Sequence, residues 1–134
     1  MNLVEHTLSK PAVMVLGASA NTERYSYLAV KRLLDHGYTV FPVGLTGGQI
    51  RTVNILSPDL DFDTIDTVSV YLHPRNQSGM LELLTRIKPR RVIFNPGAEN
   101  EALQQQLMKQ GIDVQEACTL VLLSTGQFWV LRKL

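Results

Sequence analysis

Five short, β-rich apolar runs alternate with amphipathic helical stripes, and that alternation constrains this chain more than any other feature. The runs are 12–16, 38–43, 67–72, 91–95 and 112–115. The first, Ala-Val-Met-Val-Leu, is apolar throughout, as in a strand buried on both faces. Tyr27, Val30 and Leu34 fall at i, i+3 and i+7 on a helix that starts near 24–26 and stops at Gly37. Met80, Leu83, Leu84 and Ile87 share one face of a helix over about 76–87, ended by Pro89. A further helix covers about 100–110, with Glu99 and Glu101 at its start and Lys109 and Gly111 at its end. A short one covers about 117–124. Such alternation implies right-handed crossovers and a parallel sheet with helices on both faces.

The predicted fold is therefore α/β: a Rossmann-like, three-layer, doubly wound domain on a mainly parallel five-stranded sheet. The 134 residues show no repeat, low-complexity tract or linker. One domain over 1–134 is expected, with its core at about 12–126 and an apolar tail at 127–134. The segment 44–51 reads as a loop broken by Gly47-Gly48, followed by a short extended stretch over 51–56. Asp59, Asp61, Asp63 and Asp66 lack the glycine and closing Glu of a calcium loop, so they read as a solvated connection.

The formal net charge is +1, which gives no general pull toward nucleic acid or anionic membrane. The single cysteine, Cys118, excludes an intramolecular disulfide and any multi-thiolate metal site, and suits a reducing cytoplasm. No apolar stretch approaches the ~20 residues that span a bilayer, and residues 1–10 carry no signal-peptide pattern. A cytoplasmic protein with no membrane association is expected.

In open α/β sheets, ligands bind beyond the carboxyl ends of the strands, where the strand order reverses. That rule selects the loops 17–24, 44–51, 73–76 and 95–100. The first reads Gly17-Ala18-Ser19-Ala20-Asn21-Thr22-Glu23-Arg24. Phosphate binding needs converging backbone amides, no Cβ in the way and a helix N-terminus behind them. Gly17 permits close approach. Ser19 and Asn21 offer polar side chains, Arg24 a guanidinium fork, and Ser26 a cap or donor. The loop is neither a full G-x-G-x-x-G nor a P-loop. By composition alone, Gly17 as a simple turn residue and Asn21 as a simple cap stand equally well. An NAD site places an acid near the end of the second strand; here that strand ends Phe41-Pro42-Val43-Gly44. Arg51 is compatible with the extra phosphate of coenzyme A or NADP.

The loop 17–24, followed by Tyr25-Ser26-Tyr27, resembles that of the small stand-alone CoA-binding domains. These are Rossmann-like proteins similar to the N-terminal domain of the succinyl-CoA synthetase α subunit. The likeness continues through His36-Gly37-Tyr38, Phe41-Pro42-Val43, Asn95-Pro96-Gly97-Ala98-Glu99-Asn100-Glu101, Gly111-Ile112-Asp113-Val114 and Glu116-Ala117-Cys118, covering about 12–126. The resemblance implies that Gly17, Ala18, Ser19, Asn21, Arg24 and Ser26 surround the diphosphate of coenzyme A or an acyl-CoA. It implies that Pro42 and Val43 lie along adenine and ribose. It gives the rest of the cleft to Leu72, His73 and Arg75 and to Asn95, Pro96 and Gly97. The second strand departs from the family's Pro-Val-Asn-Pro-like turn, running Pro42-Val43-Gly44-Leu45. The chain also has no room for the synthetase's phosphohistidine domain, so ligase activity is not implied.

Catalytic machinery is sparse. His6 lies outside the core pattern and His36 suits a helix C-terminus. His73, at a strand end, is the acid–base candidate, or else the cap of a turn. Cys118 suits a mixed disulfide with a thiol cofactor, or a small buried hydrophobe. No metal-ligand spacing appears. A non-catalytic binding module is expected, the alternative being an NAD(P)-binding domain or oxidoreductase subunit. Phe128-Trp129-Val130-Leu131 is expected either to pack on its own domain or to contact another subunit, in a homo-oligomer or with a partner.

Overall fold

The computed structural model describes residues 10–129. Strand β1 (Ala12–Leu16) leads into helix α1 (Tyr25–Asp35), and β2 (Thr39–Val43) returns parallel to β1. Two two-residue strands follow, β3 (Gln49–Ile50) and β4 (Val53–Asn54), paired as an antiparallel hairpin. Then come β5 (Thr67–Val70), a 3₁₀ turn at Pro74–Asn76, α2 (Met80–Ile87), β6 (Arg91–Phe94), α3 (Glu101–Lys109), β7 (Asp113–Glu116) and α4 (Thr119–Ser124). The main sheet has five parallel strands in the order β2-β1-β5-β6-β7. The expected α/β, doubly wound, Rossmann-like architecture is the one found.

The side-chain period of two explains the layers. Met14 and Leu16 of β1 point into one core with Val68, Val70, Val92 and Phe94, against Met80, Leu83 and Leu84 of α2 and Leu103 and Leu107 of α3. Val13 and Val15 point the other way, with Ile93, against Val30 and Leu33 of α1 and Leu122 and Leu123 of α4. The buried face of α1 is Ser26, Ala29, Val30 and Leu33, with Tyr27 and Leu34 flanking it rather than forming its centre. Phe128 packs on this domain, edge-to-face with Tyr38 at 5.2 Å and beneath the Arg91 guanidinium at 4.7 Å. His6 and residues 130–134 lie outside the described residues.

Three local departures from the sequence reading have physical causes. The segment 49–54 is a hairpin because Arg51 takes a left-handed conformation (φ +54°) and is tied to Asp35 of α1 at 2.6 Å. That ion pair holds Arg51 against α1. Helix α2 begins at Met80, not near 76, because Pro74 opens a 3₁₀ turn and Gly79 then adopts φ +80°. The acidic connection is tethered: Arg86 donates to the carbonyls of Pro58 (3.0 Å) and Leu60 (3.1 Å), and Asp66 pairs with Arg90.

Candidate functional site

The strand order reverses between β1 and β5: from β1 the chain runs outward to β2, then crosses back to β5, β6 and β7. At the carboxyl ends of these strands lies a cleft of about 960 Å³. Its floor is the loop after β1 (Leu16–Asn21). One wall is the end of β2 with the following loop (Val43–Gly47), continued by Pro58 and Asp59. The other wall comes from Leu72, Arg75 and Asn76 and from α2 residues such as Met80, Leu83 and Arg86.

Backbone approach holds the floor against the β2 wall. The Val43 carbonyl accepts from both the Gly17 and the Ala18 amides, each at 2.9 Å. Gly17 sits at φ +94°, and a Cβ there would lie 3.1 Å from Leu72 and from the Tyr71 carbonyl carbon. At Gly44 a Cβ would stand 2.4 Å from the Ala18 carbonyl oxygen. Two glycines thus let three chain segments meet at one corner.

The loop then organises itself. The Ser19 hydroxyl oxygen accepts from the Asn21 amide (3.1 Å), and the Asn21 side-chain oxygen accepts from the Glu23 amide (3.0 Å). The Asn21 carbonyl accepts from the Arg24 amide. The Gly17 and Ala18 amides are therefore already paired within the protein. Among the described residues, the amides of Ser19, Ala20 and Thr22 find no acceptor. They are the donors this loop can offer an anion, together with the Ser19 hydroxyl hydrogen and the Asn21 amide group.

Of the residues singled out from sequence, Gly17, Ala18, Ser19, Asn21, Val43, Leu72 and Arg75 line this one cleft. Arg24, Ser26, Pro42, His73, Asn95, Pro96 and Gly97 do not. Arg24 is exposed at the N-cap of α1, and Ser26 is buried in the first turn of that helix. His73 Nδ1 accepts from the Arg75 amide at 3.2 Å, capping the 3₁₀ turn. Pro96 and Gly97 are exposed, and the Gly97 amide donates to Glu99.

Asn95 is 1% exposed and wholly engaged by the protein. Its Nδ2 donates to the Ser69 hydroxyl and the Val70 carbonyl, both at 2.9 Å, and its Oδ1 accepts from the Thr119 amide at 2.8 Å. It ties β5, β6 and the start of α4 together. Nearby, burial pushes the Tyr71 phenol up to about 12, against the smaller opposing influence of the Thr119 and Ser69 hydroxyls. The Tyr71 hydroxyl itself is buried without a hydrogen-bond partner. Gln77, buried behind the α2 wall, donates to the Leu72 and Ala98 carbonyls and accepts from Asn100, bracing the wall against the loop after β6.

Sequence reasoning missed Leu45, Pro58 and Asp59 as wall residues, and most of α2's contribution. Leu45 lay in a loop the switch-point rule did select. For Pro58 and Asp59 the only signal was Arg86, which carries that segment to the cleft by gripping its carbonyls.

Fold and cleft together define a doubly wound, Rossmann-like domain with a cleft at the switch point. A family model described as a CoA binding domain matches residues 11–124. The chain belongs to this CoA-binding domain family. A crystal structure of an uncharacterised protein is 41% identical with a TM-score of 0.86, covering 89% of this chain and 98% of that one. A Thermus thermophilus structure, cell-free ID.343, shares the fold at 23% identity and a TM-score of 0.77, covering 96% of this chain and 100% of that one. An apo dinucleotide-forming acetyl-coenzyme A synthetase 1 from Ca. Korarchaeum cryptofilum shares it at 15% identity and a TM-score of 0.65, over 83% of this chain but 27% of its own. No curated protein matches the chain significantly. Among the described residues, no helix is long and apolar enough to cross a membrane.

Proposed function

We propose that this protein is a non-catalytic binding module for coenzyme A or an acyl-CoA, holding the diphosphate at the loop after β1. The observation that carries the reading is the cleft at the switch point, floored by the unpaired amides of Ser19 and Ala20. Thr22, next along the loop, adds a third open amide. A volume of about 960 Å³ suits a large cofactor, since ligand pockets run from roughly 300 to 1,000 Å³. A binding role rather than chemistry is supported by His73, whose ring nitrogen is engaged as a cap. The oxidoreductase alternative has less support, because β2 ends without the carboxylate that a ribose diol needs.

Thermal melting against coenzyme A, acetyl-CoA, dephospho-CoA, NAD(H), NADP(H) and ATP tests the reading. Binding stabilises as RT ln(1 + [L]/Kd), about 2.7 kcal/mol at 100-fold excess over Kd. The expected result is the largest shift with coenzyme A or its thioester. No shift at millimolar coenzyme A, or a larger one with NAD(H), overturns the proposal.

A further inference from the structure

Leu72 packs directly on the point where the chain leaves β1. Its Cγ and Cδ2 each lie 3.1 Å from where a Gly17 Cβ would stand. The Val43 carbonyl grips the same point from the β2 side with two hydrogen bonds, whereas from the β5 side Gly17 is met by packing alone. Leu72 itself lies past the end of β5. The backbone bonds toward β1 stop one residue earlier, at the Tyr71 amide, which donates to the Leu16 carbonyl. Among the described residues, the Leu72 backbone then has a single hydrogen bond, accepted by its carbonyl from Gln77 Nε2 at 2.9 Å. Gln77 cannot turn away from it. The side chain is 6% exposed, the same Nε2 donates to the Ala98 carbonyl at 2.7 Å, and Oε1 accepts from Asn100 Nδ2 at 2.9 Å. Asn100 in turn caps α3 through the Leu103 amide. The Gln77 main chain closes the 3₁₀ turn by donating to the Pro74 carbonyl, and its own carbonyl accepts from Met80 at the start of α2. One planar carboxamide, with two donor hydrogens and an acceptor all spent, fixes Leu72 relative to α2 and the loop after β6.

We infer that Gln77 is a positioning residue for the loop after β1: by holding Leu72 on Gly17 it sets the direction in which residues 19–22 leave the strand, and so the aim of their open amides. The inference rests on the coenzyme A reading and deepens it by naming a residue that governs affinity without touching the ligand. Gln77 is not among the residues that line the cleft, and it acts through Leu72, which is. The link is mechanical. A close-packed contact transmits displacement, because a gap of about 0.5–1 Å already forfeits a quarter to a half of its attraction. Without the Nε2 donor, the Leu72 and Ala98 carbonyls lose their buried partner and relax toward water to recover one. Leu72 then no longer seats on Gly17, and a binding site whose support is loose by about 1 Å loses its geometry.

A double-mutant cycle tests the inference by calorimetric titration of coenzyme A into the parent, Gln77→Met, Leu72→Ala and the double variant, each well below its melting temperature. Gln77→Met keeps the side-chain length and loses all three hydrogen bonds. It should bind coenzyme A roughly 10-fold more weakly. Leu72→Ala removes the contact with Gly17 itself and should weaken binding by a similar factor. Adding Gln77→Met to Leu72→Ala should then change little, because the link is already cut. A brace that serves only the fold would leave affinity alone or multiply the two losses. Gln77→Met binding as tightly as the parent, or losing the same factor with and without the Leu72 side chain, overturns the inference and leaves the coenzyme A reading intact. A parent protein that binds no coenzyme A overturns both. If Gln77→Met does not fold, Gln77→Asn, one methylene shorter and unable to reach both carbonyls, takes its place in the cycle with the same expected pattern.

Discussion

Gly44→Ala is the sharpest test of how the cleft is built. The new methyl would stand 2.4 Å from the Ala18 carbonyl oxygen, whereas ordinary contacts begin near 3.4 Å, so one segment must retreat by about 1 Å. Neither side yields cheaply. The obstacle is backbone, and Ile55 already stands 3.4 Å behind the same methyl. Retreat also pulls Val43 and the loop after β1 apart, and with them the two 2.9 Å hydrogen bonds from Gly17 and Ala18 to the Val43 carbonyl. Overpacking costs about 1–3 kcal/mol and the two strained hydrogen bonds together add about 1, so a loss of about 2–4 kcal/mol is expected. For a chain of this size that lowers the melting temperature by roughly 8–15 °C. Gly47→Ala is the internal control. It is three residues away with nothing within 4 Å of the new methyl, and it should match the parent or gain up to about 1 kcal/mol through the unfolded chain. Urea denaturation of the three proteins decides the matter. If Gly44→Ala and Gly47→Ala unfold at the same midpoint, the close approach does not organise this corner.

Three further outcomes are expected. Asn95→Leu keeps the volume but leaves the Thr119 amide and the Ser69 hydroxyl short of a buried partner, so denaturation should show a loss of about 3 kcal/mol. If the variant still folds, its coenzyme A affinity should be unchanged, and a selective loss of binding would show that Asn95 reaches the ligand. Burial alone would raise the Asp66 carboxyl, but the bonds from Arg90 and Thr67 outweigh it and hold its pKa below the usual value. Its contribution is therefore complete above the unfolded-state pKa of about 3.9 and is lost as pH falls through the lower folded value. Asp66→Asn should flatten that acid limb in pH-dependent denaturation, and an unaltered limb would refute the assignment. Tyr71→Phe removes a buried hydroxyl that has no partner, so stability should hold or rise by up to about 1 kcal/mol. A loss larger than that in the same assay would show that the hydroxyl is bonded after all.

The sheet was readable from sequence because strands buried on both faces leave uninterrupted apolar runs, as 12–16 and 92–94 do. Its strand order was not, since nothing in a run of valines says which neighbour it pairs with. The hairpin at 49–54 escaped because its strands are two residues long and its left-handed turn residue is Arg51, not the glycine or asparagine expected there. At the site, the floor and the β2 wall could be read, since a glycine at a strand end and the switch-point rule are both local signals. The continuation of that wall, and most of the α2 wall facing it, could not. Pro58 and Asp59 reach the cleft only because Arg86, on a distant helix, holds the carbonyls of that segment. The motif around Asn95 has a structural part that sequence did not show. Asn95 fastens β5, β6 and α4 together, and it is not among the residues that line the cleft.

Val43 shows why the loop after β1 is read best one step beyond its glycine. A carbonyl at the end of β2 has two lone pairs, and here it accepts both amides that leave β1. The same fork sets the register of β2 against the loop and turns the next residues outward. Ser19 and Asn21 then consume the Asn21 and Glu23 amides in side-chain turns, leaving the amides of Ser19, Ala20 and Thr22 without acceptors among the described residues. On the proposed reading, an anion at this corner would meet these remaining backbone donors rather than the first two amides of the loop. Substitutions at 17 or 18 should act on stability through Val43, while the cost of anion binding should fall on changes that reshape 19–22.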